Sequence, residues 1–544
     1  MLEKIRLFLK NKKLDAVIIP FENEYLGEYA LPETNRLEAL THFTGSAGLA
    51  IVSLFQAALF VDSRYTLQAK RQSSFTILDW TEKNVFLWIQ KKNIQTIGFD
   101  GTCFSVATIN NFRQNTQCVW RELKQNPVDL FWENRPPKTK ETVYTFPVCF
   151  AGETKTAKLQ RVREYLLKNK ADALCVTALD SVSWLLNKRG NAIKNTPVAL
   201  KQILIDSEKN IYPFSPAGFQ KLAGKTIIYD SESMPFSTFN RFSKSVHFIA
   251  APSVIKQWQA VKNATELSNL KETGLFESAV ICRFWCWLEE HKKELTEQQC
   301  GAYLQQLRGE NSAYVEDSFP SIVAAGAHAA LPHYSPNPNE QTPVAGNSVL
   351  LVDTGGQYKT GTTDMTRTFA VGAISPLIKK RYTQVLKGHI ALASSTIKIG
   401  ALPKTLDRKA HAFLRADKVD YYHGTGHGIG YFLSVHESPP KISEKSKTPL
   451  YPHMVFSNEP AVYDEENGFG IRLENMLYSV LKNGKLHFEN LLFIPFDGRL
   501  IEPNLLTLAE KEWLNTYHAT VKDKIYPLLT VAQIKLLESF IPKF

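Results

Sequence analysis

Four carboxylates stand on stretches that otherwise read as buried β-strand, and this limits the fold more than any other feature of the chain. Asp353 ends the apolar run Val349-Leu350-Leu351-Val352, and Asp364 precedes Met365-Thr366-Arg367. Gly355-Gly356-Gln357-Tyr358, lying between them, reads as the turn of a hairpin that carries one carboxylate on each arm. Glu459 follows Met454-Val455-Phe456, and Glu474 closes Phe469-Gly470-Ile471-Arg472-Leu473, again two strand-like runs joined by a polar loop from Tyr463 to Gly468. A buried carboxylate is seldom tolerated unless it is paired or binds a metal. The fold must therefore bring these four to a counter-charge.

A fifth donor, His427, lies in the glycine-rich stretch His423-Gly424-Thr425-Gly426-His427-Gly428-Ile429-Gly430. A single carboxylate on a strand is as often an edge residue as a ligand, so the argument rests on the set. Two divalent cations need roughly this many protein donors when some carboxylates bridge, and a hydrolytic pair of ions sits about 3.5–4 Å apart. Four hard oxygen donors and one imidazole, with no thiolate, suit Mn²⁺ and also admit Co²⁺, Fe²⁺ or Zn²⁺; they argue against a structural zinc site. The residues by themselves reach a two-metal hydrolase and go no further.

Four segments resemble those of the Xaa-Pro aminopeptidase (aminopeptidase P) family: Leu350 to Tyr358, Gly361 to Thr368, His423 to Gly430 and Gly470 to Asn475. Three more, His42 to Gly48, Val61 to Tyr65 and Ala178 to Leu185, are similar to the long, three-domain form of that family, so the likeness spans nearly the whole chain. The resemblance implies bridging roles for Asp364 and Glu474, with Asp353 on one ion and His427 and Glu459 on the other. It implies a metal-bridging hydroxide as nucleophile and Glu459 as general base. His333, His423 and His436 would donate hydrogen bonds to substrate carbonyls and to the developing oxyanion. Arg472 shares a strand face with Glu474 and would orient a carboxylate from behind. His328 matches no family position and reads as a loop residue.

The implied activity is release of the first residue from peptides whose second residue is proline, by a homodimer in the cytoplasm. A prolidase confined to dipeptides is the nearest rival within the fold. A metal-free binding or chaperone module of the same fold would have lost ligands, whereas this sequence keeps all five. Two positions depart from the usual pattern. Ala461 replaces a glycine expected in a turn near Tyr463, and Asn458 replaces an aspartate beside the metal. Neither alters a proposed ligand.

The 544 residues exceed what one core supports. Lys13-Leu14-Asp15-Ala16-Val17-Ile18-Ile19 and Lys170-Ala171-Asp172-Ala173-Leu174-Cys175-Val176 each follow an amphipathic helix and open a strand, so the chain before about residue 250 reads as two related α/β units. The polar stretch from Glu133 to Lys140 marks a linker. Asn263-Ala264-Thr265-Glu266 reads as a capping box opening a long helix, and Leu508 to Tyr526 as the last helix. The expected organisation is a creatinase-like domain over 1–153, a second over 154–253, and a "pita-bread" catalytic domain over 254–544. The pita-bread assignment is implied by the resemblance.

Seven widely spaced cysteines suit a reducing compartment. The amino-terminal ten residues mix charge into an amphipathic helix, so no signal peptide is expected, and no apolar run reaches membrane-spanning length. The net charge of +11 is spread without aromatic interleaving, which argues against nucleic acid as a partner. Gly218 to Thr226 misses the phosphate-loop spacing and reads as a surface turn. Gly424 to Gly430 misses the dinucleotide spacing.

Overall fold

The computed structural model describes residues 1–62, 65–334, 341–346 and 348–544; Ser63 and Arg64 of the Val61–Tyr65 segment lie outside that set. The chain divides into two compact units, one built from Met1–Phe146, Glu153–Lys194 and Val198–Ile255, the other from Pro147–Gly152, Asn195–Pro197 and Lys256–Phe544.

The first unit holds two sheets laid out on one plan. In the first sheet the strand Ala16–Pro20 runs antiparallel to Gly48–Ser53 and parallel to Thr96–Phe99, beyond which Val119–Glu122 adds another parallel strand. In the second, Ala173–Val176 runs antiparallel to Ile203–Asp206 and parallel to Thr226–Tyr229, with His247–Ala250 parallel beyond it. Local detail repeats as well. Lys13, which caps its helix, and Lys170, which follows the cap Asn169, both lie at positive φ, 53° and 52°. Asp15 then accepts a hydrogen bond from the Thr96 N–H at 2.8 Å, and Asp172 accepts one from the Thr226 N–H at 2.8 Å. Ala16–Pro20 is apolar at every position because both faces are covered. Ala16 and Ile18 enter one core with Leu49 and Ile51, while Val17 and Ile19 enter the other with Ala50 and Val52. Gly218 lies inside the helix Pro216–Lys221, so only the later part of the Gly218–Thr226 stretch is a turn.

In the second unit all strand pairing is antiparallel. Its six-stranded sheet runs Ile397–Lys398, Lys485–Asn490, Asn475–Lys482, Val455–Asn458, Gly426–Gly428, Glu437–Ile442. The helices Pro376–Ala393 and Lys404–Arg415 cover one face through Leu392, Leu406 and Ala410, which pack on Phe456, Leu477 and Leu486. The 28-residue helix Ala264–His291 opens on the expected capping box between Asn263 and Glu266, with Leu267, Leu270 and Val280 buried. The helix Leu508–Ile525 is not the last one. Pro527 interrupts it, and Thr530 caps a further helix, Val531–Glu538, which buries Leu537. Among the described residues no helix is long and apolar enough to cross a membrane. All seven cysteines are thiols.

Candidate metal centre

Two hairpins deliver the four carboxylates; Asp364, Glu459 and Glu474 stand where a ladder breaks, and Asp353 lies one residue before the end of its ladder. In the first hairpin Val349–Thr354 pairs with Met365–Ala370, placing Asp353 opposite Thr366. Beyond Thr354 the arms pair again as Gly356–Tyr358 against Gly361–Thr362, in a different sheet. The turn therefore lies at Lys359 and Thr360, not at Gly355–Tyr358. Gly355 marks the change of sheet, since a Cβ there would lie 1.9 Å from the Thr363 carbonyl oxygen.

In the second hairpin Asn458 pairs with Asn475, and pairing resumes with Ala461 opposite Arg472. Glu459 and Pro460 on one arm, and Leu473 and Glu474 on the other, fall in the gap. Proline has no N–H to give to a ladder, so the interruption is written into the chain. The polar loop contracts accordingly, because Ala461–Asp464 is a strand of its own. Ala461 is thus a ladder residue, and its methyl group asks nothing of a turn. Asn458 is fully buried and donates from Nδ2 to the His389 carbonyl at 3.0 Å, a bond that an ionised aspartate could not make.

His427 comes from Gly426–Gly428, a strand inside the six-stranded sheet. A Cβ at Gly426 would lie 1.9 Å from the Ser457 carbonyl oxygen, so only glycine lets this strand approach its neighbour. The His427 N–H donates to Ser457 Oγ at 3.0 Å, and that hydroxyl donates to Glu459 Oε1 at 3.2 Å. Donor atoms of Asp364, His427 and Glu474 all lie within 4.8 Å of one another. His427 Nε2 stands 3.3 Å from Asp364 Oδ2 and 3.6 Å from Glu459 Oε1. Its Nδ1 faces the Gly428 carbonyl at 2.9 Å, which fixes the tautomer and leaves Nε2 as the free donor atom.

Asp353 joins the group through Arg472. Arg472 reaches Asp353 Oδ2 at 2.5 Å, Thr366 Oγ1 at 3.1 Å and the Tyr463 hydroxyl at 2.6 Å. The Thr366 hydroxyl passes its hydrogen to Glu474 Oε2 at 2.7 Å. Arg472 therefore pairs with Asp353 and reaches Glu474 through Thr366. Around the rim, His423 Nε2 lies 3.0 Å from the Tyr463 hydroxyl and its Nδ1 3.9 Å from Glu459 Oε2. The His436 ring meets that of His427 edge-on with centroids 4.3 Å apart. His333 is half-buried beside Pro332, whose carbonyl accepts from Arg472 at 3.5 Å.

The protein groups alone leave this cluster short of positive charge. Burial, then the charges of Asp364, Glu459 and Asp353, push the Glu474 carboxyl well above its ordinary range. Burial also lifts Asp353 to about 6 against the pull of Arg472, with Asp364 and Glu459 adding repulsion. Burial would lower His427, yet Asp364 and Glu459 raise it to about 9. Asp353 Oδ1 is buried with no hydrogen-bond donor among the described residues. Divalent cations would remove each of these penalties, so the donor set fits them.

Thr366, Ser457 and Tyr463 join the site without belonging to the candidate set of the sequence. The two-residue period places Thr366 on the face of Asp364 and would have pointed to it; nothing local marks the other two.

Comparison with known proteins settles the family. The model of metallopeptidase family M24 matches residues 268–479, the span that holds all five candidate donors, and the C-terminal region of that peptidase family matches 484–539. Two models of the creatinase/prolidase N-terminal domain match 1–124 and 134–216. A probable Xaa-Pro aminopeptidase P of Laccaria bicolor is 32% identical across 97% of this chain and 90% of its own length. The chain belongs to the Xaa-Pro aminopeptidase P family. A second member of that family, from Botryotinia fuckeliana, is 34% identical over 96% of this chain and 88% of its own. The fold of the family is represented by the crystal structure of an X-prolyl aminopeptidase from Caenorhabditis elegans, described as a cytosolic enzyme with a dinuclear active site. It superposes with a TM-score of 0.88 at 27% identity, covering 100% of this chain and 99% of that one.

Proposed function

We propose that this enzyme releases the first residue of peptides with proline in second position, hydrolysing the Xaa–Pro bond at two divalent cations held by Asp353, Asp364, His427, Glu459 and Glu474. The observation that carries the reading is the convergence of Asp364, His427 and Glu474 within 4.8 Å, in a buried cluster where desolvation and mutual repulsion push the Glu474 and Asp353 carboxyls up. Asp364 and Glu474 would be the carboxylates shared between the ions, with Asp353 holding one ion and His427 and Glu459 the other. The oxygen-rich, thiolate-free set favours Mn²⁺ over Co²⁺, Fe²⁺ and Zn²⁺. Bound ions of this kind lower the pKa of water from 15.7 to about 7 and polarise the scissile carbonyl.

The protein groups supply the rest. Burial opposes ionisation of Glu459, but His423, His427, Arg472 and His436 together hold it below the usual carboxylate range, so it stays ionised, the form that the general-base role requires. Ser457 fixes one of its oxygens. Tyr463 orients the His423 ring, and His333, His423 and His436 donate to the substrate carbonyls and the oxyanion. A proline amide has no hydrogen to offer and holds φ near −65°, so the site recognises its ring and carbonyl in place of an N–H.

The three domains proposed are 1–153, 154–253 and 254–544, the first two being the repeated α/β modules. Seven thiols and the cytosolic description of the Caenorhabditis relative support a cytoplasmic location. The family resemblance supports a homodimer, which light scattering would read as twice the 61.5 kDa chain mass.

The deciding experiment offers Xaa-Pro-Yaa and Xaa-Ala-Yaa peptides to the metal-loaded enzyme and measures free Xaa. Release from the proline peptides, with little from the alanine peptides, is expected. Equal rates would defeat the proline assignment, and turnover of Xaa-Pro dipeptides alone would establish a prolidase.

A further inference from the structure

His328 belongs to none of the motifs that carry the reaction, yet it takes part in a built arrangement. Glu297 is the first residue of the helix Glu297–Arg308, and its side chain is fully buried. Its Oε1 accepts from the Ala325 N–H at 2.7 Å and meets His328 Nδ1 at 3.0 Å, while its Oε2 accepts from the Tyr334 hydroxyl at 2.7 Å. The His328 ring also stacks on Tyr334, with centroids 4.3 Å apart and planes 22° from parallel. One carboxylate thus ties down the beginning, middle and end of the stretch Ala325 to Tyr334. His333 is carried on that stretch.

The same stretch is held from its other side. A Cβ on Gly470 would lie 1.7 Å from the Ala329 carbonyl oxygen, so the strand Phe469–Arg472 rests directly on it, and Arg472 donates to the Pro332 carbonyl at 3.5 Å. Arg472 also grips Asp353, which connects the stretch to the metal donors. A carboxylate can only accept, so His328 Nδ1 carries a hydrogen in this arrangement and its tautomer is fixed. Its side chain is 31% exposed, in contrast to Glu297, so the ring contributes little to the core. Its position serves the stretch.

We propose that His328 and Tyr334, gathered by Glu297, are positioning residues that hold His333 at the distance its substrate contact requires. The inference rests on the assignment of His333 to the substrate made above. A displacement of about 1 Å remote from the chemistry can cost as much as 10²-fold in rate. Losing the middle tether should loosen His333 and leave the cations in place.

The test is a double-mutant cycle on the full-length, metal-loaded enzyme, with kcat and KM for an Xaa-Pro-Yaa peptide, metal content and Tm measured for each variant. His328→Ala should lower kcat/KM by on the order of tenfold with metal content unchanged. His328→Asn, whose Nδ2 stands where the ring Nδ1 stood, should restore most of the loss. In a His333→Ala background His328→Ala should cost almost nothing further. Equal losses in both backgrounds, or a silent His328→Ala where His333→Ala is damaging, would overturn this inference alone. A His333→Ala variant with normal kinetics would overturn the substrate role of His333 and this inference with it.

Discussion

Thr366→Val isolates one hydroxyl at the centre of the site. The side chains have nearly the same shape, so the change removes the bond to Glu474 Oε2 at 2.7 Å and the acceptor for Arg472 Nε at 3.1 Å, and little else. Arg472 keeps Asp353 and Tyr463, and the variant should fold. A lost hydrogen bond to a charged group costs about 1.5–3 kcal/mol. At roughly 2–4 °C per kcal/mol for a unit of this size, Tm should fall by about 5 °C. Loss of an outer-shell partner weakens metal binding by about 10–100-fold, equivalent to about 1.4–2.7 kcal/mol. Titrating the metal-stripped protein with Mn²⁺ against a competing chelator would read this directly. Activity should return at saturating Mn²⁺, and Thr366→Ser should behave as the parent. An affinity for Mn²⁺ within twofold of the parent would refute the claim that Thr366 orients a ligand.

His423→Ala and His436→Ala should each retain both ions by elemental analysis while kcat/KM falls by roughly 10²-fold, the scale of one lost oxyanion donor; loss of metal would make the residue a ligand. Arg308→Met leaves Glu277 and Asp317 buried without their shared cation, so denaturant unfolding should show a loss of about 3–5 kcal/mol, and a loss below 1 kcal/mol would contradict the pairing. His518 Nε2 accepts from the Phe496 N–H at 3.3 Å, and burial with the charge of Arg367 pushes its pKa down to about 3. Below its unfolded value of about 6.5 the unfolded chain binds the extra proton. This group therefore removes up to about 1.4 kcal/mol of stability per pH unit as pH falls from 6.5 toward 3. His518→Gln should flatten that slope in urea unfolding between pH 7 and 5, and an unchanged slope would show that another group sets it.

Local patterns conveyed much of this architecture. The repeated Lys-X-Asp-Ala openings foretold two sheets of one plan because the local part of each motif, a left-handed lysine leading from helix to strand, depends only on its neighbours in sequence. The Asn263 capping box needs four consecutive residues and is present as read. The carboxylates on apolar runs announced a need for positive charge, since desolvation acts on each of them wherever the chain goes.

Apart from the break that Pro460 marks, the places where ladders end were not legible in the same way. Period two tells which face a side chain takes, but the change of sheet at Gly355 depends on how closely the Thr363 carbonyl approaches, and that is set by neighbouring strands. Partners far apart in sequence were hidden for the same reason. Thr366 and Glu474 are separated by 108 positions, and His328 and Glu297 by 31. By itself the sequence determined which groups could not be buried alone. Which atoms answer each of them was decided by the tertiary structure, because hydrogen bonds act over about 3 Å and only the packed chain brings such residues that close.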